Sequence, residues 1–168
     1  MFAGFLFSSL LFLSTIQAVT AGEIVIGMGA DDILDSNRDH ANGAFAGLVE
    51  LHLEPFARVA GFDLAPMATL QFDNHGDYYA GIGFYVFRRL GRARRWMIEA
   101  SLAGGILRER STRFDIDDDF RFRSSIGFGF DISPRARMSL TLDHILDESL
   151  RNQDPGSETI FIRYTRKY

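Results

Sequence analysis

Apolar and polar positions alternate along most of this chain, most clearly from Phe120 to Ile132. Even positions there read Phe120, Phe122, Ser124, Ile126, Phe128, Phe130 and Ile132; odd positions read Arg121, Arg123, Ser125, Gly127, Gly129 and Asp131. Alternation with period two is the signature of a β-strand whose faces meet different surroundings. Met138, Leu140, Leu142, His144 and Leu146 repeat it against Ser139, Thr141, Asp143 and Ile145. Ile160, Ile162, Tyr164 and Tyr168 do so again against Thr159, Arg163, Thr165 and Lys167. Noisier alternation over 23–29, 44–54, 64–72, 78–87 and 95–107 brings the expected strands to eight, with no helical period between them. Short turns at Ser133-Pro134-Arg135 and Leu90-Gly91-Arg92 interleave with polar, mostly longer connections at 31–43, 73–77, 108–119 and 148–156. Tight turns at one end and longer loops at the other are the layout of an antiparallel barrel that crosses a membrane.

Side-chain volume decides which face is inside. An eight-stranded barrel has a narrow interior, which suits the Gly, Ser and Arg face and leaves Phe, Leu, Ile and Val pointing out. The 16 Gly and 16 Phe of this 168-residue chain take their meaning from that division. An outward apolar belt is stable in lipid and a liability in water. Tyr78, Tyr79, Trp96, Tyr164 and Tyr168 lie near strand ends, where interfacial aromatic girdles are expected. The alternative is a water-soluble barrel with its apolar face around a ligand. It would have to pack many Phe inside and expose faces rich in glycine.

Ahead of the strands, residues 2–16 form an uncharged, mostly apolar run, followed by Gln17-Ala18-Val19-Thr20-Ala21. This predicts a secretory signal peptide, residues 1–21, cut after Ala21; the run is short for a membrane-spanning helix of ~20 residues. Residues 22–168 then form a single domain, an all-β, eight-stranded antiparallel transmembrane barrel of the outer-membrane type. With no Cys, disulfide frameworks and thiolate metal sites are excluded. A net charge of −4 and a pI near 5.5 argue against nucleic acid as a partner. No His/Asp/Glu spacing reads as a metal site, and no cofactor is implied. His40 and His75 sit in polar loops, whereas His52 shares the polar face of its strand with Glu50 and Glu54, a trio expected to join an interior hydrogen-bond network.

His144 differs from these, because its parity points it at lipid, in line with Leu140, Leu142 and Leu146. An imidazole there is costly unless it lies near an interface or has a partner. A hairpin centred near Arg151 puts Glu158 directly opposite it, with Cβ atoms about 4.5–5.5 Å apart. A histidine oriented by a carboxylate is two-thirds of a hydrolytic triad. It is equally a polar pair that stabilises the barrel rim at the headgroup level.

The run from Met138 through Leu142-Asp143-His144-Ile145-Leu146-Asp147 to Asp154-Pro155-Gly156-Ser157-Glu158 resembles the lipid A 3-O-deacylase family. Looser similarity extends over Asp77-Tyr78-Tyr79-Ala80-Gly81-Ile82-Gly83 and Phe122-Arg123-Ser124. The resemblance implies an outer-membrane barrel that hydrolyses an ester-linked acyl chain of lipid A, the anchor of lipopolysaccharide. His144 would match the general base and Glu158 the carboxylate that orients it. Where the family carries its nucleophilic Ser and then Asn, this chain has Leu146 and Asp147. Leucine offers no nucleophilic atom, and a carboxylate would repel a developing oxyanion. Ser124 is a candidate substitute, since a turn centred on Pro134 places it across from His144; Ser149 is another, but falls in the loop. The other expectation is a member that has lost its chemistry and serves as a structural or lipopolysaccharide-binding barrel.

Overall fold

A computed structural model of the chain describes residues 21–31, 45–108, 120–146 and 157–168. Of the expected leader, all but Ala21 lies outside the described residues, as do His40, Asp147 and Ser149. The strands are β1 (Ala21–Asp31), β2 (Phe45–Leu53), β3 (Ala57–Val59), β4 (Phe62–Asp73), β5 (Tyr78–Leu90), β6 (Trp96–Arg108), β7 (Phe120–Ser133), β8 (Ala136–Leu146) and β9 (Ser157–Lys167). All pairings are antiparallel and join strands consecutive in the chain except β2 and β3; β1 joins β9, and β2 pairs with β4 to close the barrel.

Nine strands make eight staves, because β2 and β3 are one stave with a break. His52 is in register with Met67, but Ala57 is in register with Leu64, so the stave gains residues across Glu54-Pro55-Phe56. Pro55 has no N–H to give the ladder, and pairing slips there; Phe56 N resumes it by donating to Leu64 O at 3.0 Å. The β3–β4 hairpin then turns on Ala60 (φ 52°) and Gly61 (φ 84°). Two successive positive φ values suit the right-handed twist of a two-residue hairpin. Alternation alone does not reveal this short hairpin, which falls in the unassigned stretch 55–63.

Inside, the polar face forms a braced plug. Arg123 Nη1 donates to Glu50 Oε1 at 2.8 Å, and Arg163 Nη2 donates to Asp143 Oδ1 at 2.7 Å. Arg123 also pairs with Asp143, Arg163 with Glu50, and Arg137 with Glu23. Glu50 Oε2 also accepts a hydrogen bond from His52 Nε2 at 3.0 Å. These groups cross-link β1, β2, β7, β8 and β9 across the interior. The expectation for His52 and Glu50 holds; Glu54 is exposed, because the stave breaks beside it. Apolar clusters flank the plug, Ala65, Met67, Tyr85 and Met97 on one side and Ala46, Leu48 and Phe161 on another. Gly29 makes room for the latter: a Cβ there would stand 2.7 Å from the Phe161 ring.

Outside, the apolar positions form a belt, with Met28 77 %, Ile82 75 % and Ile126 65 % exposed. Tyr78, Trp96 and Tyr168 join it at its edges, whereas Tyr79 points inward and donates to Ala103 O at 3.1 Å. Such an inverted surface matches hydrocarbon as its solvent. Leu140→Arg, on the outward face of mid-β8, is therefore expected to cost about 2–4 kcal/mol in a bilayer. Urea unfolding in lipid vesicles reads that loss; an unchanged midpoint would mean the face meets water.

Candidate active site

Three adjacent strands bring Ser124, His144 and Glu158 into one row. Ser124 on β7 is directly opposite His144 on β8, and His144 is directly opposite Glu158 on β9. All three share the outward parity, since Arg123 and Ser125, Asp143 and Ile145, and Thr159 point inward and are buried. His144 Nδ1 stands 3.5 Å from Glu158 Oε1, with the two side chains 29 % and 25 % exposed. Such partial shielding strengthens their attraction relative to open water. The row lies two residues from the end of β8 and one from the start of β9, so the pair sits at the loop end of the barrel.

Ser124 and His144 are not hydrogen-bonded to each other; their opposition sets the Cβ separation at about 4.5–5.5 Å, from which side-chain rotation closes the gap. Apolar side chains frame the row. Leu142 and Leu146 flank His144 on its own strand, Phe122 lies opposite Leu146, and Leu102 lies opposite Ser124. The face is thus greasy apart from one hydroxyl, one imidazole and one carboxylate. Leu146 is 46 % exposed on it and offers no reacting atom.

The geometry also supplies a support that spacing along the chain does not disclose. Arg123 precedes Ser124 and Asp143 precedes His144, and these two inward neighbours form a fully buried ion pair. The outward pair is thereby backed by an inward one, which fixes the two strands where the row needs them. Four positions of alternating parity carry both devices, one for each side of the wall.

No curated protein matches the sequence. Among solved structures, the crystal structure of the outer membrane enzyme PagL superposes with a TM-score of 0.63 at 13 % identity, covering 87 % of this chain and 99 % of that one. A de novo designed transmembrane β-barrel gives 0.55 at 8 % identity, covering 89 % and 98 %. Neisserial surface protein A gives 0.53 at 9 % identity, covering 90 % and 100 %. These likenesses establish the fold. The sequence profile of lipid A 3-O-deacylase (PagL) matches residues 46–167. That span runs from the second residue of β2 through the end of β9 and includes the whole Ser124, His144 and Glu158 row. The chain is an outer-membrane β-barrel and belongs to the lipid A 3-O-deacylase (PagL) family.

Proposed function

We propose that this barrel hydrolyses an ester-linked acyl chain of lipid A, with Ser124 as nucleophile, His144 as general base and Glu158 as the carboxylate that orients the imidazole. The observation that carries this is the unbroken cross-strand row on the lipid-facing wall. The order nucleophile, base, orienting carboxylate is the order a triad requires. An ester whose acyl chain lies in hydrocarbon meets this row from within the bilayer, without entering the barrel interior.

Glu158 Oε1, 3.5 Å from His144 Nδ1, is placed to accept its N–H as the site closes on substrate, which leaves Nε2 free to act as the base. As Ser124 Oγ bonds to the ester carbon, its proton passes to Nε2. Collapse of the tetrahedral species breaks the bond to the sugar oxygen, which takes that proton. Water then attacks the acyl group on Ser124 with the same assistance, releasing the fatty acid and restoring the serine. Such contacts commonly tighten only when substrate is bound.

A second reading is a barrel without catalysis that binds lipopolysaccharide, and Leu146 at the family's nucleophile position favours it. Release of free hydroxy fatty acid from purified lipopolysaccharide by the detergent-folded chain separates the two. Hydrolysis that disappears in His144→Ala supports the enzyme. A well-folded wild type that releases nothing supports the binding barrel.

A further inference from the structure

The end of the barrel opposite the Ser124 row concentrates positive charge on a chain whose net charge is −4. Arg88, Arg92, Arg94 and Arg95 come from the end of β5 and the turn into β6. Arg135 and Arg166 continue the arc, since Lys167 N donates to Arg135 O at 2.9 Å and Ala136 is in register with Arg166. All six are exposed, and none has an ion-pair partner among the described residues. Three carboxylates at this end are engaged by other cations: Asp63 by Arg58, Asp131 by Arg89 and Lys167, and Glu23 by Arg137. Glu54 is exposed and lines the barrel mouth together with Asp63 and Arg94, so Arg88, Arg92 and Arg95 are the cations of the turn that lie outside that cavity.

The arc is joined to the apolar belt. The Arg95 guanidinium lies 4.4 Å from the centroid of Phe130, and Arg88 lies 5.8 Å from that of Phe62. Trp96 stacks on Phe128 at 5.0 Å and packs against Phe130 at 4.5 Å. Phe128, Phe130 and Trp96 face outward, so the cations stand where acyl chains give way to headgroups. Arg95 Nε donates to Asp131 O at 3.2 Å, which steadies the guanidinium on the Phe130 face and leaves its Nη donors for a phosphate. Trp and Tyr at such a level mark a membrane interface.

We infer that this arginine arc binds the phosphate of an anionic phospholipid in the leaflet opposite the Ser124 row, with the β5–β6 turn as its centre. The stacked aromatics argue for a lipid rather than a soluble anion, because a free phosphate has no use for the apolar half of the site. The inference rests on the barrel's place in the membrane and is independent of any hydrolysis.

Trp96 is the chain's single tryptophan, so its fluorescence reports on this site alone. The full chain, folded in a zwitterionic detergent, is titrated with phosphatidylglycerol brominated on its acyl chains, and separately with brominated phosphatidylcholine. Phosphatidylglycerol is expected to quench at a concentration at least about fivefold lower, the effect of one arginine near an anionic headgroup. The Arg92→Gln, Arg94→Gln, Arg95→Gln variant is expected to bring the two lipids together. Equal quenching of the wild type by both lipids overturns the inference, as does an undiminished preference in the triple variant. Loss of the preference on adding millimolar inorganic phosphate at constant ionic strength overturns it too, by showing that a free anion suffices.

Discussion

Ser124→Ala is expected to lower ester hydrolysis by about 10³-fold or more, with the barrel folded as before. The hydroxyl is the only nucleophilic atom directly opposite His144, and its loss creates no cavity in the interior because the side chain faces outward. Members of a triad act as a unit, so His144→Ala should cost about as much as Ser124→Ala, and the double variant little more than either. Glu158→Gln keeps the size and hydrogen-bonding capacity of that residue but removes the charge that steadies the imidazolium, and a smaller loss follows. Leu146→Ser is the informative companion. It puts a hydroxyl where the resemblance implies one, two residues along the strand from His144 instead of across from it. If Ser124 is the nucleophile, the wild type already works and Leu146→Ser changes the rate little. Full activity in Ser124→Ala would remove the row from the mechanism.

Arg123→Ala is expected to destabilise the barrel by about 3–5 kcal/mol, the cost of stranding buried charge. Arg123 is completely buried and pairs with both Glu50 and Asp143, and its Nη1 also donates to Thr69 Oγ1 at 3.2 Å. Its removal leaves Glu50 and Asp143 sharing Arg163, with His52 as the further partner of Glu50. Urea midpoints in detergent or vesicles measure the loss. Arg58→Ala provides the contrast, since that guanidinium meets Asp63 on the exposed hairpin, where water replaces the lost partner and the midpoint should hardly move. A midpoint for Arg123→Ala equal to that of the wild type would show that water, not the ion pairs, satisfies the plug.

Local alternation was enough to read the wall of this barrel. Each residue's parity follows from its neighbours, so the inward Arg123 and Asp143 and the outward Ile126, Leu140 and His144 could be assigned without knowing which strands meet. Short connections then supplied register, which is why the opposition of Ser124 and His144 across the Ser133–Ala136 turn was legible. Glu158 opposite His144 was legible for the same reason, although their loop is longer. That Glu50 and His52 join an interior network was legible too, but its partners were not, because Glu50, Arg123, Asp143 and Arg163 come from four strands whose lumenal heights depend on tilt and shear. Tyr79 was misplaced among the girdle aromatics, since two tyrosines in succession on a strand must point to opposite faces. Pro55 hid the β3–β4 hairpin by breaking the alternation on which strand assignment relies.

Membership of the deacylase family, together with Leu146 where the resemblance implies a serine, makes one claim decisive: that the cross-strand row supplies the nucleophile. Mass spectrometry of lipid A from cells with and without this protein in their outer membrane tests it most directly. The account predicts a species lighter by one hydroxyacyl chain that appears with the wild type and vanishes with Ser124→Ala. Lipid A of unchanged mass, with the barrel folded in the membrane, would contradict it.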